Sequence, residues 1–347
     1  MSGIVFLLYD SRSGSTLLSR LLDEYEDIGV TVESNFMISI LRLHQEFERK
    51  SDAASIFQKL RGMDRFENLR IEEEKFLGCL ENKEPTINSF VTCLLKTYFE
   101  RKDPSADAWI VKDGSNGYFI NQIIHEIPEA KFIHILRDGR AVLNSRMKTI
   151  NPYGNKKAMA RDPLTAARHW KSLVTHIDNF SKKFPERILE VRYEHLIKST
   201  EEEIGRIRRF LGLQKNRSRK ANPKTYFQKI TEKEKKIHEL VISAPRRSRC
   251  EAWKEELSVD HRKLFEYVAG DILIKKGYKL QQLVTLTDII KESSLLKLYF
   301  QAHVKRGKDW ISYLCDPKKL MHIIQWRLIR SHEPKDINDQ LMKERRY

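Results

Sequence analysis

The chain has 347 residues, 40% of them hydrophobic, 10% aromatic and 32% charged, with 14 Gly and 10 Pro; this globular composition excludes collagen-like, low-complexity and disordered classes. No apolar run approaches the roughly 20 residues of a membrane-spanning helix, and the first residues lack the charged and apolar regions of a secretory signal, so the cytoplasm is the expected compartment. Lys plus Arg number 64 against 48 Asp plus Glu, a net charge of +16 that points to an anionic ligand.

From the N-terminus, the apolar run Ile4–Tyr9 reads as a strand, residues 10–15 as a Ser/Gly loop, and Thr16–Leu22 as a helix. A short strand follows at Val30–Val32, then helical periodicity over residues 36–102, broken near Gly62 and at Pro85, with Thr86 as a helix start. Strand patterning returns at Trp109–Val111, helix at Tyr118–Glu126, strand at Lys131–Leu136 and helix at Gly139–Lys148. A long helix over Leu164–Lys183, a strand at Ile188–Val191 and a helix at Val259–Lys276 ending at Gly277 complete the readable pattern. Short, near-continuous apolar strands alternating with helices predict an α/β fold with a parallel sheet covered on both faces.

Four cysteines, Cys79, Cys93, Cys250 and Cys315, form no CxxC pair and meet no His cluster at zinc spacing, so reduced structural thiols and no metal are expected. Charge concentrates between Gly205 and Cys250, where 15 Lys/Arg face three acids. The segment has few aromatics to stack bases, so nucleic acid is not the expected partner; a solvated basic loop and a surface for phosphate or sulfate groups both remain open. Residues 281–347 are helical in pattern, mildly basic, and carry an apolar stripe from Leu320 to Ile329 suited to packing on the host domain or to contact with a membrane surface.

Two constellations carry chemistry. In the first, Tyr9-Asp10-Ser11-Arg12-Ser13-Gly14-Ser15-Thr16 joins a strand to a helix, placing backbone N–H groups at the positive helix end, where phosphate binds; a plain N-capped helix is the alternative. It is not a Walker A loop, since the GxxxxGK[ST] spacing is missing. In the second, Arg137 stands at a strand tip and Ser145 two turns into the next helix, at the sheet edge where open α/β folds hold ligands.

In this order the segments resemble the sulfotransferase superfamily that uses 3′-phosphoadenosine 5′-phosphosulfate (PAPS). Residues 9–18 resemble its 5′-phosphosulfate loop in the arginine-bearing form of tyrosylprotein, bacterial and carbohydrate enzymes, and residues 137–146 its 3′-phosphate element. Trp109-Ile110-Val111-Lys112-Asp113 resembles its lysine strand, Val191-Arg192-Tyr193-Glu194-His195-Leu196 a later strand, and Arg247-Ser248-Arg249 with Trp253–Leu257 its late basic segment. Gly114 stands where that branch usually has Pro, and His195 where Asp is usual.

The resemblance implies a P-loop-NTPase-like parallel sheet flanked by helices: an α/β domain over residues 1–280, with a helical insertion at 36–102 and a basic segment at 205–250, then a helical C-terminal extension over 281–347. It implies sulfuryl transfer from PAPS to a hydroxyl or amine acceptor, releasing adenosine 3′,5′-bisphosphate without a metal. Arg12, Lys112 and Glu33 are then the catalytic candidates, Glu33 as general base, with His195 next in line. Arg12, Ser13, Gly14, Ser15, Thr16, Arg137, Ser145, Tyr193, Arg247 and Arg249 are the nucleotide-binding candidates. His134 and His169 are expected to be packed or hydrogen-bonded. The favoured acceptor is an anionic carbohydrate or a lipid-linked glycan. A P-loop-like small-molecule kinase and a non-catalytic basic adaptor for an anionic polymer are the competing readings.

Overall fold

The computed structural model describes residues 3–49, 51–63, 65–150, 158–160, 162–213, 226, 229 and 248–314. Five parallel strands, β1 (Gly3–Tyr9), β2 (Ile28–Val30), β3 (Ala108–Lys112), β4 (Lys131–Leu136) and β5 (Ile188–Arg192), form one sheet in the order β2-β3-β1-β4-β5. β1 is central, its Leu7 registered with Lys112 on one side and Ile133 on the other. Its Phe6, Leu7 and Leu8 are fully buried, which is why the run is continuously apolar rather than alternating.

Helices α1 (Ser15–Asp23), α7 (Ile120–Glu126), α8 (Gly139–Lys148) and α9 (Pro163–Lys183) cover the sheet, and α10 (Tyr193–Lys198) and α11 (Thr200–Leu211) follow β5. The insertion divides into more pieces than the periodicity predicts: α2 (Phe36–Arg42), α3 (His44–Glu48), α4 (Ala53–Arg61), a 3-10 turn (Phe66–Leu69), α5 (Glu73–Leu80) and α6 (Ile87–Lys102). Gly62 closes α4, and Thr86 opens α6 with a capping box completed by Ser89. Phe57, Phe66, Phe76 and Phe90 interlock beneath these helices, giving the insertion apolar material continuous with the main core.

One expectation is overturned: Cys79 and Cys93, on α5 and α6, form a disulfide with Cα atoms 5.6 Å apart. Sequence spacing hides the pair because a helical hairpin, not a short motif, brings the two thiols together.

Beyond the basic segment, helix Val259–Lys275 packs on α9, with Trp170, Phe265 and Leu273 in a second apolar cluster. Leu164 and Leu264 meet Ile289, Leu295 and Ala302 in a third, so the chain as far as Ala302 packs on the α/β unit. Among the described residues no helix is long and apolar enough to cross a membrane. The stripe from Leu320 to Ile329, Arg247 and most of the basic segment lie outside the described residues.

Candidate active site

The strand order reverses at β1, and the crevice at the carboxyl ends of β1, β3 and β4 is the ligand position of open α/β sheets. β1 delivers Tyr9 to that edge, β3 delivers Lys112, and Arg137 directly follows β4. From Asp10 to Gly14 the chain turns tightly, the Ser13 amide donating to the Asp10 carbonyl at 3.0 Å. Arg12 (φ 76) and Gly14 (φ 97) both occupy the left-handed region. Gly14 is required twice over, since a Cβ there would also lie 2.3 Å from the Tyr193 ring. As N-cap of α1 it supplies no side-chain cap bond, and no acidic residue in the first turn offsets the positive end of α1, an arrangement suited to an anion.

Arginines lock this loop. Arg146 pairs with Asp10 and donates to the Ser11 carbonyl at 3.2 Å. Arg137 donates to the carbonyls of Arg12 at 3.0 Å and Arg249 at 2.8 Å, with its guanidinium 4.2 Å above the Tyr193 ring. Arg12 reaches Ser145 Oγ at 3.1 Å. Burial, and then the neighbouring charges of Arg137 and Arg146, lower the proton affinity of Arg12. Arg137 Nε is buried with no hydrogen-bond partner among the described residues. Converging guanidiniums, an orphaned donor and a positive helix end are what a phosphate-bearing ligand would satisfy; Arg12, Ser13, Gly14, Ser15, Thr16, Arg137, Ser145 and Tyr193 gather around that position, while Arg249, an exposed residue, meets it through its backbone carbonyl on Arg137. Arg137 spends two of its donors on backbone, so it shapes the site as well as facing it.

Lys112 connects this anion pocket to the second half of the site. It is only 1% exposed, and its Nζ lies 3.1 Å from Glu33 Oε1 and 3.3 Å from Thr16 Oγ1. The Tyr9 hydroxyl donates to the same Glu33 oxygen at 2.8 Å. On the far side, Arg65 stands 3.5 Å from Glu33 Oε2, and the Asn68 side chain donates to the Glu33 carbonyl at 2.9 Å. Burial by itself would raise the Glu33 carboxyl, but Lys112, Tyr9 and Arg65 together bring it down to about 2. The side chain is still 21% exposed, open to an incoming group. Burial, followed by Glu33 and Asp113, pushes the Tyr9 hydroxyl well above its ordinary value, so Tyr9 remains a donor.

Tyr9, Arg65, Asn68, Asp113 and the Arg146–Asp10 latch carry no assigned role in the sequence reading. Tyr9 and Asp113 lie within the quoted motifs and could have been singled out; Arg65 and Asn68 have no sequence signal, because a 3-10 turn in the insertion brings them to the sheet edge. His195 is exposed on α10. His134 lies in β4 with Glu190 at 3.6 Å, and His169 bonds the Tyr118 hydroxyl, with Asp10 at 3.9 Å.

The sulfotransferase family matches residues 5–217. A putative protein-tyrosine sulfotransferase of Caenorhabditis briggsae is 25% identical over 217 residues, covering 61% of this chain and 66% of that protein. Protein-tyrosine sulfotransferase 1 of Danio rerio is 23% identical over 211 residues, covering 60% of this chain and 53% of that protein; the chain thus matches between about half and two thirds of the length of these relatives. In fold it is similar to the sulfotransferase domain from the curacin biosynthetic pathway, with a TM-score of 0.51 and 17% identity over 81% of this chain and 99% of that one. The chain belongs to the sulfotransferase family.

Proposed function

We propose that the chain transfers a sulfuryl group from PAPS to a hydroxyl acceptor, releasing adenosine 3′,5′-bisphosphate. The observation that supports this reading best is the buried Lys112, within reach of both Thr16 at the anion-binding helix end and the carboxylate of Glu33. In the reaction the bond from sulfur to the bridging oxygen breaks, a bond from sulfur to the acceptor oxygen forms, and the acceptor proton leaves. Negative charge grows on the bridging oxygen, where Lys112, Arg12 and the α1 N-terminus are already oriented and need little reorganisation. Glu33 takes the proton, and Lys112 moving toward the bridging oxygen frees that carboxylate to accept it. Arg137, Ser145 and Tyr193 hold the nucleotide's 3′-phosphate side.

For the acceptor we favour a tyrosyl hydroxyl over the carbohydrate expected from the sequence. Two considerations support it. One of the relatives named above is a protein-tyrosine sulfotransferase and the other is named as a putative one, and a phenol, with a pKa of about 10, gives its proton to a carboxylate more readily than a less acidic sugar hydroxyl does. The basic segment that motivated an anionic glycan falls mostly outside the described residues. A kinase reading lacks the Walker lysine, and an adaptor has no use for a buried lysine joined to a carboxylate.

Labelled PAPS offered with tyrosyl peptides, oligosaccharides and lipid-linked glycans tests the reading. Label should pass to peptide tyrosine, and adenosine 3′,5′-bisphosphate should raise Tm where ATP with Mg²⁺ does not. Failure to bind either PAPS or the bisphosphate would overturn it; transfer to sugar alone would restore the carbohydrate.

A further inference from the structure

Asp113 follows Lys112 at the end of β3 and is 1% exposed. Its Oδ1 accepts the backbone N–H groups of Ser34 at 2.8 Å and Asn35 at 2.9 Å, the two residues after Glu33. Asn35 sits at φ 53, in the left-handed region that Asn visits more readily than other non-glycine residues, so the chain turns sharply here directly behind Glu33. Asp113 Oδ2 is buried and has no hydrogen-bond partner among the described residues. We infer that Asp113 is the positioning residue for Glu33, pinning the backbone behind the base so that its carboxylate stays within reach of both Lys112 and the acceptor hydroxyl. The inference rests on the sulfuryl-transfer reading for its consequence in catalysis, not for its geometry.

The charged and titratable groups facing Asp113 are Glu33 on the segment after β2, Lys112 on β3 and Tyr9 on β1. Burial dominates and, against the Asn35 and Ser34 amides, raises the Asp113 carboxyl to about 7, with Glu33 adding to the rise and Lys112 opposing it. An ionised carboxylate holds amides roughly twice as strongly as a neutral acceptor. The grip on the Glu33 turn therefore loosens as pH falls through about 7, while Glu33, held at about 2, stays ionised. The acid limb of the rate profile belongs to Asp113 rather than to the base itself.

The test follows the Ser34 and Asn35 amide resonances of the full chain with pH, and compares wild type with Asp113→Asn in bisphosphate affinity, kcat and acceptor KM. In the wild type both amides should titrate with a midpoint near 7, and kcat should fall through the same midpoint. Asp113→Asn should abolish both midpoints and lower kcat about tenfold, as expected for replacing charge-assisted bonds by neutral ones, with KM and bisphosphate affinity little changed. Wild-type amides that stay flat through neutrality, or an Asp113→Asn enzyme that keeps both its kcat and its acid limb, would overturn the inference. The amide titration needs no variant and no acceptor, so it reports the hold of Asp113 on the Glu33 turn even where the variant unfolds, and the wild-type kcat profile read beside it links that hold to the rate. Failure of PAPS to bind would count against the function alone.

Discussion

Lys112 and Glu33 neutralise one another in the resting site, 3.1 Å apart, and the proposed reaction needs each elsewhere during transfer: the amine at the leaving oxygen, the carboxylate at the acceptor proton. Glu33→Ala should therefore lower kcat by a factor on the order of 10²–10⁴ while the affinity for adenosine 3′,5′-bisphosphate stays near that of the wild type; calorimetry beside steady-state rates checks both. Arg137→Ala should act the other way. It removes the bonds to the Arg12 and Arg249 carbonyls and should weaken nucleotide binding about tenfold or more. Asp113 makes a separate prediction for stability. A carboxyl raised in the folded state stabilises that state fully below its ordinary value of about 4 and loses this contribution as pH rises through about 7. Asp113→Asn does not titrate, so its Tm measured against wild type should improve from acid to mildly alkaline conditions. A Tm difference independent of pH would show that Asp113 is not the titrating group.

At the scale of elements, the loop from Asp10 to Gly14 owes its shape to two left-handed residues and three arginine latches, and Gly14→Ala tests that shape. The Cβ meets Tyr193 at 2.3 Å and the backbone conformation becomes strained as well, so nucleotide affinity should fall with only a local loss of stability. The disulfide between α5 and α6 closes a segment of sequence separation 14 and by chain entropy is worth about 3 kcal/mol. Of four cysteines, two should therefore react with a thiol reagent in denaturant without reductant, and reduction should lower Tm. Four reactive thiols would instead match the cytoplasmic expectation, since such bonds persist in oxidising compartments. What could be read from the sequence follows the same physics. β4 and α8 coincide with their predicted bounds because a buried strand and a following Asp cap are local signals; Asp138 indeed caps α8 through the Arg140 amide. The loop from Asp10 to Gly14, Lys112 and Glu33 were legible for a related reason, each standing beside a strand end. Cys79 with Cys93, and Arg65 with Glu33, were not, because these contacts are made by the tertiary path of the insertion and leave no periodic trace.

For the whole molecule, a net charge of +16 suits a protein whose ligands are anions, and its most organised expression is the convergence of Arg12, Arg137 and Arg146 on one loop. Exposed charge steers ligands over a Debye length of roughly 10 Å at 0.1 M salt, whereas the buried Lys112 is screened far less. Salt should therefore raise the KM for PAPS more than it lowers kcat. The central claim is that a buried lysine and a carboxylate at one sheet edge carry out sulfuryl transfer, and its most direct test is a single-turnover experiment with radiolabelled sulfur in PAPS and a tyrosyl peptide. Wild type should form labelled peptide and adenosine 3′,5′-bisphosphate in equal amounts, while Glu33→Ala binds the bisphosphate normally, Lys112→Ala is compared at saturating PAPS, and both form labelled peptide at least about 10²-fold more slowly. Wild-type rates in both variants would contradict the account.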